Sequence, residues 1–207
     1  MARIYLLTAA ALVAGLLGGL FYMVVAGRSD DVFAACRTTQ IAGGSAAIGG
    51  PFELVNHEGE TVTDADVITE PSLIYFGYTF CPDVCPLDTA RNARSVDILQ
   101  EEGYAIQPVF ISIDPARDTP EVLSEFVSYM HPDMIGLTGS EEQVRAASQA
   151  YRTYYARQES EDDEFYLVDH STFSYLVLPD HGFVELFRRN VSAEQLAERV
   201  SCFLDAA

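Results

Sequence analysis

The sequence predicts an α/β domain, a central mixed sheet flanked by helices and opened by an N-terminal hairpin, behind one N-terminal apolar helix. Three observations predict it. Apolar, strand-like runs such as "SLIYFGY" and "QPVFISID" alternate with capped helical stretches, the pattern of a sheet covered on both faces. Late in the chain, "FYLVDHSTFSYLVLPDHGFVELF" strings strand-like runs around a turn and adds antiparallel members. From Ile4 to Ala26, finally, Thr8 is the only polar side chain in 23 residues.

At about 1.5 Å per residue that first run reaches roughly 35 Å, enough to cross a hydrocarbon core of about 30 Å. A cleavable signal peptide is the rival, but its apolar region covers only about 7–15 residues. Arg3 and the amino terminus precede the run; Arg28 follows it and is answered by Asp30 and Asp31. This weak bias keeps the N-terminus in the cytoplasm and sends the domain outward. No Arg- and Ser-rich presequence is visible. The expectation is a single-pass bacterial inner-membrane protein: residues 1–27 the anchor, 28–50 a Gly-rich tether, 51–207 a periplasmic domain. Beyond residue 27 there are 11 arginines, no lysine and all 31 acidic residues, a formal charge of −20. Such a surface repels phosphate backbones, so nucleic acid is excluded as a partner.

The domain's elements follow in order. "FELV" and "ETVT", joined by "NHEG", read as a hairpin. "SLIYFGY" reads as a buried strand, followed by "TFCPDVCPLD" and a helix from Asp83 or Leu87 to Glu101 that Gly103 ends. "QPVFISID" is a second buried strand. The next helix has Thr119 as cap and Pro120 at its first position, with Val122, Leu123, Phe126, Val127 and Met130 on one side. "IGL" fits a short strand. "SEEQ" at Ser140 is a capping box opening a helix with Val144, Ala147 and Tyr151. The acidic run "ESEDDE" (Glu159 to Glu164) reads as a solvated loop. A strand or hairpin arm, strands at Ser174 to Leu178 and Val184 to Phe187, and a helix opened by "SAEQ" at Ser192 complete the chain. This order is that of a thioredoxin-like domain.

The chemistry centres on Cys81 and Cys85, a C-x₃-C pair where a strand passes into a helix. Unpaired N–H groups at a helix start favour a thiolate, the form that attacks disulfides and binds metals. Pro82 and Pro86 stiffen the loop. The spacing alone leaves open a redox dithiol, part of a metal site, or an incidental pair. Of four histidines, His57 and His181 sit in turns, and His131 lies at a helix end where a cation suits the last carbonyls. His170 lies just ahead of a core strand, beside Asp169, which could hold one ring nitrogen and leave the other to bind. The residues alone leave His170 either a ligand or a structural histidine. Two thiolates and an imidazole would suit copper(I), and would also accept copper(II) or zinc.

"YFGYTFCPDVCP", "ISIDPARDTP" and "DHSTFSYLVLPDHG", in this order behind one apolar run, closely resemble the SCO/SenC copper chaperones over roughly residues 48 to 204. The resemblance implies a membrane-tethered, thioredoxin-like protein that binds one copper, as Cu(I) or Cu(II), through Cys81, Cys85 and His170. It implies delivery to the binuclear copper site of cytochrome c oxidase subunit II, with a copper donor and a thiol reductant as further partners. Asp114, Asp118 and Pro120 match the family's "DP-x-RDTP" segment; Asp114 is the expected support of the ligands, and a structural turn explains these residues equally well.

Cys36 and Cys202 stand outside that pattern. In the last helix Leu196, Val200, Phe203 and Leu204 define one face at about 100° per residue, and Cys202 points away from it. A free exposed thiol does not suit an oxidising compartment, so a Cys36–Cys202 disulfide pinning the tether is expected, with lipidation at Cys36 as the rival. Functionally, the alternatives to a copper chaperone are a thiol-disulfide oxidoreductase using Cys81 and Cys85 to reduce the target's cysteines, and a redox or copper sensor. A peroxidase is disfavoured, since no activated single thiol with partner residues is visible.

Overall fold

A computed structural model describes residues 2–26, 31–38, 47–161 and 165–207. Much of the expected tether, including most of "QIAGGSAAIGG", and the end of the acidic run lie outside the described residues. The chain divides into two compact units, Met1–Ala35 and Cys36–Ala207.

The first unit contains helix α1 (Ala2–Ala26). The side chains of residues 2–4, 6–11 and 24–26 are outside the description. Among the described residues no helix is long and apolar enough to cross a membrane, so the anchor rests on the sequence alone.

In the second unit the elements run β1 (Glu53–Asn56), β2 (Thr61–Thr63), α2 (Asp64–Val67), β3 (Ser72–Gly77), α3 (Val84–Glu101), β4 (Gln107–Ser112), α4 (Pro120–Met130), β5 (Ile135–Thr138), α5 (Glu141–Ala150), β6 (Tyr155–Arg157), β7 (Val168–His170), β8 (Ser174–Leu178), β9 (Gly182–Phe187) and α6 (Ala193–Ala206). Among the described residues a seven-stranded sheet has the order β2-β1-β5-β4-β3-β8-β9. β3, β4 and β5 are parallel neighbours, while β8 and β9 join antiparallel beside β3 and the β1–β2 hairpin beside β5. This is the thioredoxin-like arrangement read from the sequence.

Every residue of β3 and β8 is buried, because these strands lie within the sheet. That is why their sequences are continuous apolar runs rather than alternating ones. The helix starts follow their capping residues. Thr119 Oγ1 accepts from the Val122 amide, with Pro120 in the first turn of α4. Ser140 with Gln143, and Ser192 with Gln195, form the two expected capping boxes. α3 starts differently, since Asp83 makes no side-chain cap.

Two elements were not legible in advance. α2 is a single turn closed by a Thr63–Asp66 capping box. β6 pairs with β7 as a separate two-stranded sheet, Tyr155 opposite His170 and Arg157 opposite Val168. The arm before His170 is thus half of a hairpin standing beside the main sheet. Glu159 to Glu161 are exposed, as a solvated loop requires.

Candidate metal centre

At the end of β3 the chain turns, places Cys81 in the loop and Cys85 in the first turn of α3. Gly77 makes this close passage possible: a Cβ there would stand 2.9 Å from Tyr75 Cε1 and 3.1 Å from Cys85 Sγ. The Cys85 amide, one of the free N–H groups of the helix start, donates to Cys81 Sγ at 3.3 Å. The sulfur therefore does the capping that Asp83 does not. Both cysteines are buried and neither is in a disulfide.

His170 reaches the same place from the end of β7, with Nε2 3.2 Å from Cys85 Sγ. One ligand atom from each of Cys81, Cys85 and His170 lies within 4.8 Å of the others, a group able to hold a metal ion. His170 Nδ1 lies 2.8 Å from the Ser171 carbonyl oxygen. A carbonyl only accepts, so Nδ1 carries the proton and Nε2 presents its lone pair to the thiols. The ring stands edge-on to Tyr75 and Tyr78, with centroids 6.3 and 5.9 Å away.

Burial sets the electrostatics. It pushes the Cys85 thiol well above the ordinary range, outweighing the hydrogen bonds that favour the thiolate. It also lowers His170, with the Ser171 carbonyl acting in the opposite sense, so the imidazole is neutral and able to ligate. The help expected from the helix start therefore reaches Cys81 as an N–H donor, while desolvation dominates at Cys85.

The expected supports fall differently. Asp169 does not hold the His170 ring; it is exposed and accepts from Gln158 Nε2 at 2.8 Å. Neighbouring residues of a strand point to opposite faces, so a residue beside a ligand in β7 is turned away from it, and the Ser171 carbonyl takes the role. Asp114 is buried and lies outside the three-ligand group. One oxygen meets Arg117 Nε at 2.5 Å and the other accepts from the Tyr166 hydroxyl at 2.6 Å. Asp118, fully buried, staples the cysteine loop to β4: it accepts from the Thr79 amide and hydroxyl and from Ser112 Oγ. Burial raises its carboxyl, and the Ser112 and Thr79 hydrogen bonds act against that.

Sequence reasoning also passed over Asp88. This buried carboxylate, one turn after Cys85, accepts from the Tyr75 hydroxyl at 3.1 Å and faces Arg189 at 3.6 Å. Its position three residues after Cys85 was the available signal. The other three histidines lie outside the three-ligand group. His57 Nδ1 accepts from the Gly136 amide. His131 is buried, and its Nδ1 accepts from the Asp133 amide while Nε2 faces Asp97 at 3.3 Å. At the end of α4 its ring is thus engaged by the Asp133 amide and Asp97 rather than by the last carbonyls of the helix. His181 lies exposed in the β8–β9 turn.

Away from this centre, Cys36 and Cys202 form a disulfide with Cα atoms 5.7 Å apart. The next two residues continue the attachment: the Arg37 guanidinium donates to the Val184 carbonyl, and the Thr38 amide to Glu185 on β9.

The family model described as SCO1/SenC matches residues 41–205. Protein SenC of Rhodobacter capsulatus is 55% identical over 179 residues, which cover 86% of this chain and 80% of that protein. A copper-bound crystal structure of Arabidopsis thaliana ScoI is 40% identical with a TM-score of 0.73, covering 77% of this chain and 99% of that one. Bradyrhizobium japonicum ScoI with copper bound is 34% identical with a TM-score of 0.68, covering 75% and 98% respectively. The donor set here, two thiols and a neutral imidazole, suits a single copper ion.

Proposed function

From a chain that belongs to the SCO1/SenC family, we infer a copper chaperone of cytochrome c oxidase assembly. Cys81, Cys85 and His170 hold one copper ion and release it by ligand exchange to the binuclear site of oxidase subunit II. Residues 1–27 anchor the protein in a bacterial inner membrane, residues 28–50 tether it, and the domain from residue 51 works in the periplasm. A copper donor loads the site and a thiol reductant keeps the two cysteines available.

The observation that carries this reading is the convergence of two sulfurs and one bare imidazole nitrogen within 4.8 Å. His170 has no place in a simple dithiol reductant, whereas a soft metal site uses it as the third donor. The experiment is copper stoichiometry and affinity of the reduced full-length chain against a competing chelator, beside His170→Ala, Cys81→Ser and Cys85→Ser. One copper per chain is expected. His170→Ala should lose at least the roughly 10–100-fold that removal of a mere outer partner costs. Equal uptake by wild type and His170→Ala would overturn the reading.

A second reading rests on the two free, adjacent thiols. As a thiol-disulfide oxidoreductase, Cys81 and Cys85 would pass two electrons and two protons to a disulfide of the recipient and become a disulfide themselves. That activity should survive His170→Ala, which separates the two readings.

A further inference from the structure

The two segments that bring the donors together belong to different sheets. Cys81 and Cys85 follow β3 of the main sheet, whereas His170 ends the separate β6–β7 hairpin. No ladder among the described residues joins that hairpin to the main sheet; what seats it is the short link from His170 to Ser174 of β8, which pairs with β3, together with side-chain contacts.

One cluster reaches both. The Arg117 guanidinium lies 3.5 Å from the Tyr166 ring centroid, 4.8 Å from Phe80 and 5.7 Å from Tyr78. Phe80 precedes Cys81, and Tyr78 packs edge-on against the His170 ring. Tyr166 enters the hairpin arm four residues before His170. Arg157, from β6, lies 3.9 Å over the same Tyr166 ring. The Tyr166 ring is thus contacted by one guanidinium from the segment after β4 and by one from β6. Asp114 closes the cluster by binding Arg117 and the Tyr166 hydroxyl with its two oxygens. The Tyr78 hydroxyl adds a last tie, accepting from the Val168 amide at 3.3 Å.

We propose that Arg117 and Tyr166 are positioning residues: their stack, locked by Asp114, clamps the β6–β7 hairpin to the cysteine loop and sets His170 against Cys85. The proposal rests on the copper reading of the site, and it assigns to "DPARD" a task distinct from metal ligation. The planar guanidinium is needed because an ammonium cannot lie flat on one ring while donating in plane to Asp114.

The test uses the full-length chain with ¹⁵N-labelled histidine, as wild type, Tyr166→Phe, Tyr166→Leu and Arg117→Lys. Tyr104→Phe is the control, a tyrosine bound to Asp205 away from the site. In the metal-free protein, contacts between the His170 and Tyr78 rings are read by nuclear Overhauser effects. Copper affinity is read against a chelator, and nitrogen hyperfine splitting of the Cu(II) form reports histidine ligation. Tyr166→Leu and Arg117→Lys should lose the ring contact and weaken copper by about 10–100-fold, with reduced nitrogen splitting. Tyr166→Phe should fall between them and wild type, and Tyr104→Phe should match wild type. Combined with His170→Ala, Tyr166→Leu should cost nothing further, since the clamp acts through that ligand. The proposal is overturned if the ring contact and affinity stay within twofold of wild type, or if the double variant is weakened additively. If Tyr166→Leu does not fold, Tyr166→Phe and Arg117→Lys decide by the same outcomes. Should wild type take up no copper, the copper reading fails by itself, while the metal-free ring contact still judges the clamp.

Discussion

Nε2 of His170 stands 3.2 Å from Sγ of Cys85, across 85 positions of sequence. The imidazole is held neutral, and burial keeps the thiol protonated at neutral pH. Copper must therefore displace protons from thiols in order to bind. Protons compete below the raised thiol range, so apparent affinity should rise with pH, by up to about tenfold per unit for each proton displaced. Proton release on adding copper in weak buffer, with chelator competition at pH 6, 7 and 8, measures it. A flat profile would contradict the geometry.

Gly77 provides the space in which Cys85 sits. A Cβ there would lie under 3.0 Å from the Tyr75 ring and 3.1 Å from the sulfur, with neighbours that are themselves fully buried. Gly77→Ala should cost about 1–3 kcal/mol in urea unfolding and should also weaken copper, because relief requires moving Cys85. A variant with wild-type affinity would show that Cys85 is not confined in this way.

The disulfide joins residues 166 positions apart. Loss of a native disulfide typically costs about 2–5 kcal/mol. Cys36→Ser and Cys202→Ser should each show that loss, and the double variant should be no worse than either, since the same bond is removed. Intact mass without reductant should differ from the fully reduced protein by the two hydrogens of this bond once Cys81 and Cys85 are serine.

Asp118 gives a pH signature on folding. Its folded-state carboxyl is raised by burial. The folded state therefore holds the proton more tightly than the unfolded one, and stability falls as pH rises from the ordinary carboxylate value through the raised one. Asp118→Asn has no such loss. Unfolding both metal-free proteins at pH 4.5 and pH 7 should show the variant further below wild type at the acid end. An equal gap at both values would place Asp118 in a solvated setting.

Much of this was legible because it is local. The Ser140 and Ser192 capping boxes, Pro120 after Thr119, and the apolar runs of β3 and β8 each announce an element through neighbours in sequence. β6 was not legible: three residues with no strong pattern become a strand only when Val168–His170 lies against them. Asp169 misled for a related reason, because adjacency in a strand means opposite faces.

The sequence by itself determined the order of the elements other than α2 and β6, and the positions of Cys81 and Cys85 at a strand-to-helix turn. Spacing brings those two sulfurs together, and helix-start chemistry accounts for the amide that Cys81 accepts. Tertiary structure decided the rest: which nitrogen of His170 is bare, that burial rather than the helix start governs the Cys85 thiol, and that Asp114, Arg117 and Tyr166 tie the two halves of the site. The physical reason is range. Capping and turn preferences act over a few residues, whereas desolvation and side-chain clamps depend on atoms that only the folded chain brings within a few ångströms.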